Sequence, residues 1–502
     1  MPPKRKAAAV KENIPPKREK QKSEGNLDNS EPIEGNKAEE KNCSNAEITK
    51  DSEPIEGNKA EENNCSNAEI TKEEVNTITK LPDKILKVFD KQPPGMLLIA
   101  GSVAWETQGQ KIKPTDKTRP NINSFHRFTS ETYRSAVTGC CSAHSMLINI
   151  NRKALGFGRN HHGQLGQSQL KTFESPVPVN GLGDLNVIQV ACGRNHSLFL
   201  TEAGIVYACG DNRHGQCGIG NTTATITKAT PVKYSGPPIV KVACGADFSV
   251  ILDTNGTLYS FGLPEYGQLG NNSDGKYFIT ANKLAYNYVT FPKRVERFVE
   301  KTIEGRTIPI EDVKILDFDC GNNHTVAIDS NHRMFCWGSG GYGRLGHAEQ
   351  KDEWTPRLNK YFDSQQRKIM RVFCGTAFSL AITDIGSLYL FGRKNLRGDT
   401  NMYPKPVHDL AGWNINSIGA GYNSILISAE ASVIAWGASP TYGELGLGDE
   451  VKSSSVPKIV PDLHSMEVTH VAVGFSHSLL LVNVEHENTK QKYEALSEFI
   501  ID

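Results

Sequence analysis

Short apolar runs alternate with polar, glycine-bearing turns from residue 97 to residue 482. Runs such as Leu198 to Thr201 and Ile205 to Ala208 have the length of β-strands and are too short for helices. A first glycine signal, Cys-Gly or a variant followed by a polar turn, recurs at Cys141, Gly193, Gly245, Gly321, Gly375, Gly421 and Gly474. A second signal, an aromatic residue or cysteine followed by glycine, recurs at Gly158, Gly210, Gly262, Gly338, Gly392 and Gly437.

The spacing of the first signal defines a repeat of about four strands. Successive signals are 52, 52, 76, 54, 46 and 53 residues apart. Such a unit cannot cover its own apolar faces, so it must stack on its neighbours, and closing the ring removes exposed edges. The pattern predicts an all-β protein, a seven-bladed β-propeller. Because one second signal is missing, we expect the strand Leu97 to Gly101 to close the ring by pairing with the last strands, Val471 to Val482.

The repeats resemble those of the regulator of chromosome condensation repeat family, which carry Gly-x-x-His and Trp-Gly-x-Asn-x-x-Gly-Gln-Leu-Gly motifs. The similarity covers most of the chain and implies a seven-bladed propeller. Several segments are similar to one branch of the family, regulator of chromosome condensation two, also called the telophase disc proteins. These segments are residues 264–270, 272–276, 340–353 and 402–405.

The resemblance implies protein partners rather than substrates. The founding member of the family exchanges the guanine nucleotide of a nuclear small GTPase and docks on nucleosomes, and the branch is associated with Rac, Ral and Arf-type GTPases, centromeres, the spindle midzone and microtubules. We therefore expect a nonenzymatic mitotic and cell-cycle regulator, a scaffold that binds small GTPases and centromere or chromosomal passenger proteins, spindle components or microtubules. The alternatives are a guanine-nucleotide exchange factor and a chromatin or nucleosome adaptor.

The same resemblance implies where the protein acts. We expect it in the nucleus and nucleolus in interphase, at centromeres, spindle and midzone in mitosis, and partly in the cytoplasm. The chain has no apolar run of eighteen or more residues and no apolar leader, so we expect no membrane span and no secretion.

Composition divides the chain into three predicted regions. Residues 1–80 contain no Phe, Trp or Tyr and are rich in Lys, Glu, Asn and Pro, which predicts a disordered tail. Within it, Ser30 to Lys50 and Ser52 to Lys72 form a tandem duplication, and a copying event in a tolerant linker explains it without any function. Residues 81–482 are assigned to the propeller. Residues 483–502 are a C-terminal tail or a short amphipathic helix.

The tail begins with a basic head that is followed by an acidic arm. Two basic clusters about ten residues apart suit a bipartite nuclear import signal read by an import carrier; a merely solvated terminus, or binding to tubulin or nucleic acid, is the alternative. Between them, Lys11-Glu12-Asn13 is similar to the KEN destruction signal. The cluster residues are Lys4, Arg5, Lys6, Lys17, Arg18, Lys20 and Lys22.

Cysteines and histidines follow the repeat rather than a catalytic or metal-binding pattern. Five cysteines share one repeat position, which favours small buried side chains over a metal site or disulfides. Four histidines share a position that Phe248, Phe378 and Ser424 fill elsewhere, which indicates a structural role. We expect no metal, no cofactor and no catalytic residue. The cysteines are Cys140, Cys192, Cys244, Cys320 and Cys374, and the histidines are His144, His196, His324 and His477.

The period is interrupted once, by an insertion at residues 271–314. Insertions in propellers lie on surface loops that a rigid ring presents to partners. A basic and apolar segment within it suits an acidic protein partner, whereas a strand extension of its own blade is the alternative. Its candidate residues are Lys293, Arg294, Arg297, Phe298 and Lys301. A second charged loop contributes the candidates Arg344 and His347.

Overall fold

A computed structural model describes part of the chain, and the described residues belong to one compact unit. The predicted tail before Lys80 lies outside the described residues, together with its duplication, its import clusters and the KEN-like tripeptide. The described ranges are 80–106, 120–363, 367–393, 399–437 and 441–500.

The first described elements are one helix and five strands. The second to fifth strands pair antiparallel in chain order, each with the next one. The elements are α1 (Asp83–Phe89), β1 (Gly95–Gly101), β2 (Ile122–Val137), β3 (His144–Asn149), β4 (Ala154–Gly158) and β5 (Phe173–Pro178).

Two separate sheets of four antiparallel strands follow. The second strand of each is buried along its whole length because it lies between neighbouring sheets and inside its own. The first sheet contains β6 (Val187–Cys192), β7 (His196–Thr201), β8 (Val206–Asp211) and β9 (Thr225–Pro231). The second contains β10 (Ile239–Cys244), β11 (Phe248–Asp253), β12 (Leu258–Gly262) and β15 (Val289–Arg294).

The insertion forms two hairpins around strand β15. The first hairpin is a separate two-stranded sheet of β13 (Lys276–Thr280) and β14 (Lys283–Tyr286). The second, β16 (Phe298–Lys301) and β17 (Thr307–Ile310), extends the next sheet by pairing β16 with its outer strand. That six-stranded sheet also contains β18 (Ile315–Cys320), β19 (His324–Asp329), β20 (Met334–Gly338) and β21 (Glu353–Leu358).

Two further four-stranded sheets and a short helix α2 (Lys360–Asp363) continue the chain. One sheet contains β22 (Ile369–Cys374), β23 (Phe378–Thr383), β24 (Leu388–Arg393) and β25 (Thr400–Pro406). The other contains β26 (Ile415–Ala420), β27 (Ser424–Ala429), β28 (Ser432–Gly437) and β29 (Lys458–Ile459). Single 3₁₀ turns occur at Gly341–Gly343, His408–Leu410 and Pro461–Leu463.

The last strands, β30 (Val468–Val473) and β31 (His477–Val482), return to the beginning of the chain. Strand β1 pairs antiparallel with β31 from Met96↔Val482 to Gly101↔His477. The predicted closure by the strand that contains Leu97 to Gly101 is therefore confirmed. The resulting sheet has seven strands in the order β30-β31-β1-β2-β3-β4-β5.

The prediction of an all-β propeller is confirmed, but seven separate blades are not observed. Five sheets stand alone as blades, and the remaining strands form the single seven-stranded sheet. The physical reason is the length of β2, which has 16 residues. Its first part pairs with β1, from Ile122 to Tyr133, and its last part pairs with β3, from Tyr133 to Val137. One strand thus joins both halves of this sheet.

The apolar core lies between the sheets rather than in one central mass. One cluster combines Met146 and Ile148 of β3 with Val187, Val190 and Phe199 of the next sheet. Five more clusters likewise join two neighbouring sheets. The last cluster packs the β1 and β31 side of the seven-stranded sheet against its β3 and β4 side. Each sheet therefore depends on its neighbours for burial.

Helices lie at both ends of the described chain. The first, α1, packs against β6 and buries Leu86 in a cluster that contains Ile188. The last helix, α3 (Glu487–Ala495), buries Tyr493 in the cluster that contains Leu98. Among the described residues, no helix is long and apolar enough to span a membrane.

Candidate interaction surfaces

The innermost strands enclose a central channel with a volume of about 490 Å³. The strands that line it are the end of β2, β6, β10, β18, β22, β26 and β30. Polar side chains in the channel are satisfied by neighbouring strands. Lys241 forms an ion pair with Asp317, the Gln189 side-chain oxygen accepts the Val242 N–H at 3.0 Å, and Arg371 donates to the Asn416 carbonyl at 3.1 Å. These polar contacts therefore connect the inner strands of neighbouring sheets.

Asp319 is a half-buried carboxyl group of the channel wall. Burial raises its pKa to about 6, against the opposing effect of the Lys241 ammonium and of two backbone donors. Its carboxylate oxygens accept the N–H groups of Cys374 at 2.7 Å and of Cys320 at 2.9 Å. Because these contacts join β18 to β22, the carboxyl group has a structural explanation.

Three of the repeated histidines connect neighbouring sheets, and His477 connects the two sides of the seven-stranded sheet. The His196 Nε2 lies 2.9 Å from the Ser249 Oγ, which donates to the Gln216 carbonyl at 2.8 Å, so the imidazole N–H is the donor. The corresponding pairs are His144 with Ser197, His324 with Ser379, and His477 with Ser145. The predicted structural role of these histidines is confirmed.

The Gly-x-x-His motif has a steric basis. The glycine lies under the aromatic ring three residues later, and a Cβ on Gly193 would stand 2.2 Å from the His196 ring. A Cβ on Gly245 would stand 1.8 Å from the Phe248 ring. Histidine and phenylalanine rings both fit over this glycine, so the repeated position tolerates either ring. It does not require a group that can take up a proton.

Burial also makes the thiols of the buried cysteines unreactive. Desolvation raises the pKa of the Cys192, Cys209 and Cys336 thiols far above the ordinary value. Such thiols remain protonated and are poor nucleophiles and poor metal ligands. Among the described residues, no group of three or more His, Cys, Asp or Glu could hold a metal ion.

The basic candidates of the insertion divide into an exposed and a buried group. Lys293 and Arg294, at the end of β15, and Arg297, just beyond it, are exposed. Phe298 is 7% exposed and packs edge-on against Phe335, with 5.1 Å between ring centroids. Lys301 binds the buried Glu353 carboxylate at 2.6 Å. The available surface therefore consists of Lys293, Arg294 and Arg297, which form no ion pair with the described residues.

The second pair of candidates, Arg344 and His347, lies mostly inside the protein. Arg344 is 6% exposed, and its guanidinium donates to the carbonyls of Gly341 and Thr376 at 2.9 and 3.2 Å. The His347 Nε2 lies 3.3 Å from the Cys336 carbonyl, and burial lowers the pKa of His347 to about 3. The half-buried His347 therefore holds its loop, and a contact with a partner stays a prediction.

The hairpin β13–β14 is a surface that sequence reasoning missed. Tyr277, Phe278, Ile279 and Leu284 are 43%, 72%, 53% and 42% exposed, although they are large and apolar. An isolated two-stranded hairpin is marginally stable in water, so apolar groups exposed on it suit a partner surface. The available signal was the aromatic and β-branched run that precedes the Thr-Ala-Asn turn at residues 280–282.

Comparison with known proteins agrees with this architecture. The RCC1-like domain model matches residues 97–481. Protein RCC2 of Homo sapiens is 44% identical over 414 residues, which cover 81% of this chain and 79% of the relative. The RCC2 homolog of Danio rerio is 44% identical and covers 81% of this chain and 84% of the relative. The resemblance to the RCC2 branch is therefore confirmed.

Solved structures share the fold at low sequence identity. Human WBSCR16 superposes with a TM-score of 0.62 and 21% identity over 78% of this chain and 99% of its own. Prp20p from Saccharomyces cerevisiae, a protein with binding properties toward Gsp1p and histones, superposes with a TM-score of 0.60 and 17% identity over 82% of this chain and 97% of its own. These structures agree in fold, and the domain model over residues 97–481 together with the 44% identity to RCC2 shows that the chain belongs to the RCC1-like domain family.

Proposed function

We propose that this protein is a nonenzymatic mitotic and cell-cycle regulator that binds small GTPases of the Rac, Ral or Arf type. The observation that carries the proposal is the 44% identity with RCC2 over 81% of the chain, since that branch is associated with such GTPases. Centromere or chromosomal passenger proteins, spindle components and microtubules are the further partners that we propose. The proposed locations are the nucleus, the nucleolus and the mitotic spindle, with some protein in the cytoplasm.

The insertion supplies two surfaces for this role, at opposite ends of one strand. Strand β15 has six residues and therefore spans about 17 Å. The apolar hairpin β13–β14 precedes its first residue, Val289, whereas Lys293, Arg294 and Arg297 lie at or just beyond its last. A partner that contacts both surfaces must cover the outer edge of this sheet. The exposed cations favour an acidic partner surface.

A GDP-release assay tests the proposal. Full-length protein is added to Rac, Ral, Arf and Ran-type GTPases loaded with labelled GDP, and binding and release are measured together. We expect binding without faster release, weakened about tenfold or more by K293E/R294E/R297E because three attractive charges become repulsive. The control K228E/K233E/K458E reverses three exposed lysines on other sheets and should bind normally. Absence of binding to every GTPase contradicts the proposal.

An exchange factor is the second candidate function, and the exposed hairpin favours it. Phe278, in the middle of β13, is 72% exposed, and an exposed apolar hairpin suits an element that inserts into a nucleotide site. The same assay separates the two functions, because exchange activity predicts faster GDP release that is lost in F278S/I279S. If the wild-type protein leaves GDP release at its intrinsic rate, exchange activity is excluded and the scaffold role remains.

Chromatin binding is the third candidate, by analogy with the histone binding of Prp20p. The basic head of the tail is the segment that we propose for chromatin or an import carrier. Its residues lie outside the described part of the chain. Fusion of residues 1–22 to a reporter tests nuclear import, and K4A/R5A/K6A should abolish accumulation if the clusters form a bipartite signal.

We also propose a domain division and a blade count. Residues 1–80 form the tail, 81–482 the propeller and 483–502 the C-terminal segment. The seven-stranded sheet is proposed to be two blades that share β2, because its two sides pack against each other across one cluster, as separate sheets do elsewhere. Seven inner strands around the channel support the same count.

A further inference from the structure

Four side chains from three neighbouring sheets meet on the end of the propeller where the second glycine signals lie. Tyr342 and Arg344 belong to the loop after β20, Arg393 ends β24, and Tyr422 lies in the turn between β26 and β27. We call these residues the Arg–Tyr cluster. The guanidinium carbon of Arg393 lies 5.3 Å from the Tyr342 ring centroid and 5.8 Å from that of Tyr422. That of Arg344 lies 5.7 Å from the Tyr342 centroid. Tyr342 thus contacts two guanidinium groups.

The backbone holds Tyr342 in an unfavourable conformation. Its φ and ψ are 62° and 9°, in the left-handed region that large side chains rarely adopt. Such a conformation costs about 1 kcal/mol or more and persists where the surroundings enforce it, often at binding sites. The ring is 42% exposed, so burial of the ring does not explain the strain. What the strained turn achieves is the placement of the ring between Arg344 and Arg393.

The two cations of the cluster have no carboxylate partner among the described residues. Arg344 donates only to carbonyl oxygens, and Arg393 donates to the Asn423 side-chain oxygen at 2.9 Å. Burial and then the nearby Arg393 charge lower the pKa of Arg344 to about 10, so the two guanidinium groups repel each other. Asp352 offsets this only from a distance, since its carboxylate accepts the Gly340 N–H at 2.8 Å. Two adjacent cations without a counter-ion favour an anion.

Apolar surface continues from the cluster in two directions. A pocket of about 40 Å³ opens beside Arg393 between Phe378, Leu390, Ile425 and Trp436. On the other side, the rings of Tyr422 and Phe475 lie 4.7 Å apart, and Tyr442 extends this row at 6.0 Å from Phe475. An anion bound at Arg393 would therefore have apolar surface on both sides, which suits a peptide better than a free ion.

We propose that the Arg–Tyr cluster is a binding site for an acidic segment of a partner protein, in which a carboxylate contacts Arg393 and neighbouring apolar side chains cover the pocket and the Tyr422 ring. Charge complementarity selects the acidic residue, because a guanidinium fork binds a carboxylate through two parallel hydrogen bonds. The adjoining apolar surface selects its neighbours. Lys293 and Arg294 lie on β15 of a different sheet, and the cluster does not include Arg297, so this site does not depend on the proposed GTPase contact.

Peptide binding to the full chain tests this site. The probe is a fluorescein-labelled nine-residue peptide in which glutamate alternates with valine and phenylalanine, and the matched probe has glutamine at each glutamate. We expect polarisation to detect the glutamate peptide and not the glutamine peptide. R393Q should weaken binding about tenfold, the usual effect of losing a charge-assisted hydrogen bond. Y342G should weaken it about threefold.

The variants separate binding from folding. Y342G relieves the positive φ, so its melting temperature should stay equal or rise while binding falls. The control R213Q removes a cation that Asp211 already neutralises at 2.6 Å, and binding should be unchanged. The proposal is overturned if R393Q binds like the wild type, if both peptides bind equally, or if neither binds. If a single-stranded oligothymidylate binds more tightly than the glutamate peptide, and R393Q abolishes that binding, the site binds nucleic acid and the proposal is overturned.

Discussion

The four repeated imidazoles that link different strands are kept neutral by burial. Desolvation lowers the pKa of His144 to about 3 and of His196 and His477 to about 4, and lowers that of His324 well below its usual value. A neutral imidazole can donate one hydrogen bond to the serine of the next sheet. Because protonating the buried imidazole is costly, it stays neutral near physiological pH, and the contact between the two strands is destabilised only in acid.

This burial predicts a pH dependence of stability. The unfolded chain binds protons on these histidines below pH 6.5, whereas folded His196 does so only near pH 4. Stability should therefore fall as pH drops from about 6.5 toward 4, by up to about 1.4 kcal/mol per pH unit for each histidine. Asp319, whose pKa is raised to about 6, acts in the opposite direction between pH 6 and 3.8.

The variant H196F checks this assignment through melting temperatures between pH 7 and pH 5. Phenylalanine fits over Gly193 as Phe248 does over Gly245, so the fold should persist. Loss of one titrating group should make the melting temperature less dependent on pH. The control S249A removes the hydrogen-bond partner at 2.9 Å but keeps the imidazole, so it should lower stability without changing the slope. An unchanged slope in H196F would contradict the prediction.

At the scale of elements, helix α1 is attached by both apolar and ionic contacts. Leu86 is buried with Ile188, and Asp90 directly after the helix binds Arg134 at 2.9 Å and Arg152 at 2.7 Å. Phe89 and Val88 line the channel beside the inner strands. The helix therefore covers part of one channel mouth. Apolar burial contributes most of the stability of its attachment, because partly exposed ion pairs contribute little.

Replacing Leu86 should release this helix. L86S removes a side chain that is 6% exposed, which should cost about 2 kcal/mol of local stability. Hydrogen exchange should then accelerate in residues 83–89 and in β6 below them. K87S, which changes the exposed next residue, is the matched control and should exchange like the wild type. Equal protection in L86S would contradict the role of Leu86, because Ile85 and Phe89 also pack against this cluster.

At the scale of the whole molecule, β1 closes the ring by pairing with β31. Six residue pairs from Met96↔Val482 to Gly101↔His477 connect the two ends of the propeller. A chain that starts at residue 102 leaves the edge of β31 and the first part of β2 without a partner, and exposed edges promote association. Light scattering should show aggregation of this chain. A chain that starts at residue 93 also lacks the tail and α1 but keeps β1, so it should stay monomeric; aggregation of both would refute the role of closure.

Much of the architecture could be predicted because the repeat is local. The Gly-x-x-His spacing and the Gly-Gln-Leu-Gly turns recur in most units because each makes a similar local contact there, so they are visible in sequence. The sharing of β2 could not be predicted, because strand length depends on which neighbours pair with it. Helix α1 was also missed, since its single buried turn around Leu86 gives a weak periodic signal.

The candidate site was predicted only in part, for a related reason. The exposed positions of Lys293, Arg294 and Arg297 follow from an insertion in the repeat. The Arg–Tyr cluster joins residues that lie up to 80 positions apart, from Tyr342 to Tyr422, and no local pattern connects them. Only the ring geometry brings three loops together.

The histidine bonds are distributed unevenly around the ring. Imidazole bonds join β3 to β7, β7 to β11, β19 to β23 and β31 to β3, whereas Phe248, Phe378 and Ser424 leave the other junctions without one. The pocket beside Arg393 lies at the junction with Phe378, and the hairpin β13–β14 follows the strands that contain Phe248. A partner that binds these loops would therefore contact the ring at junctions that no imidazole bond holds.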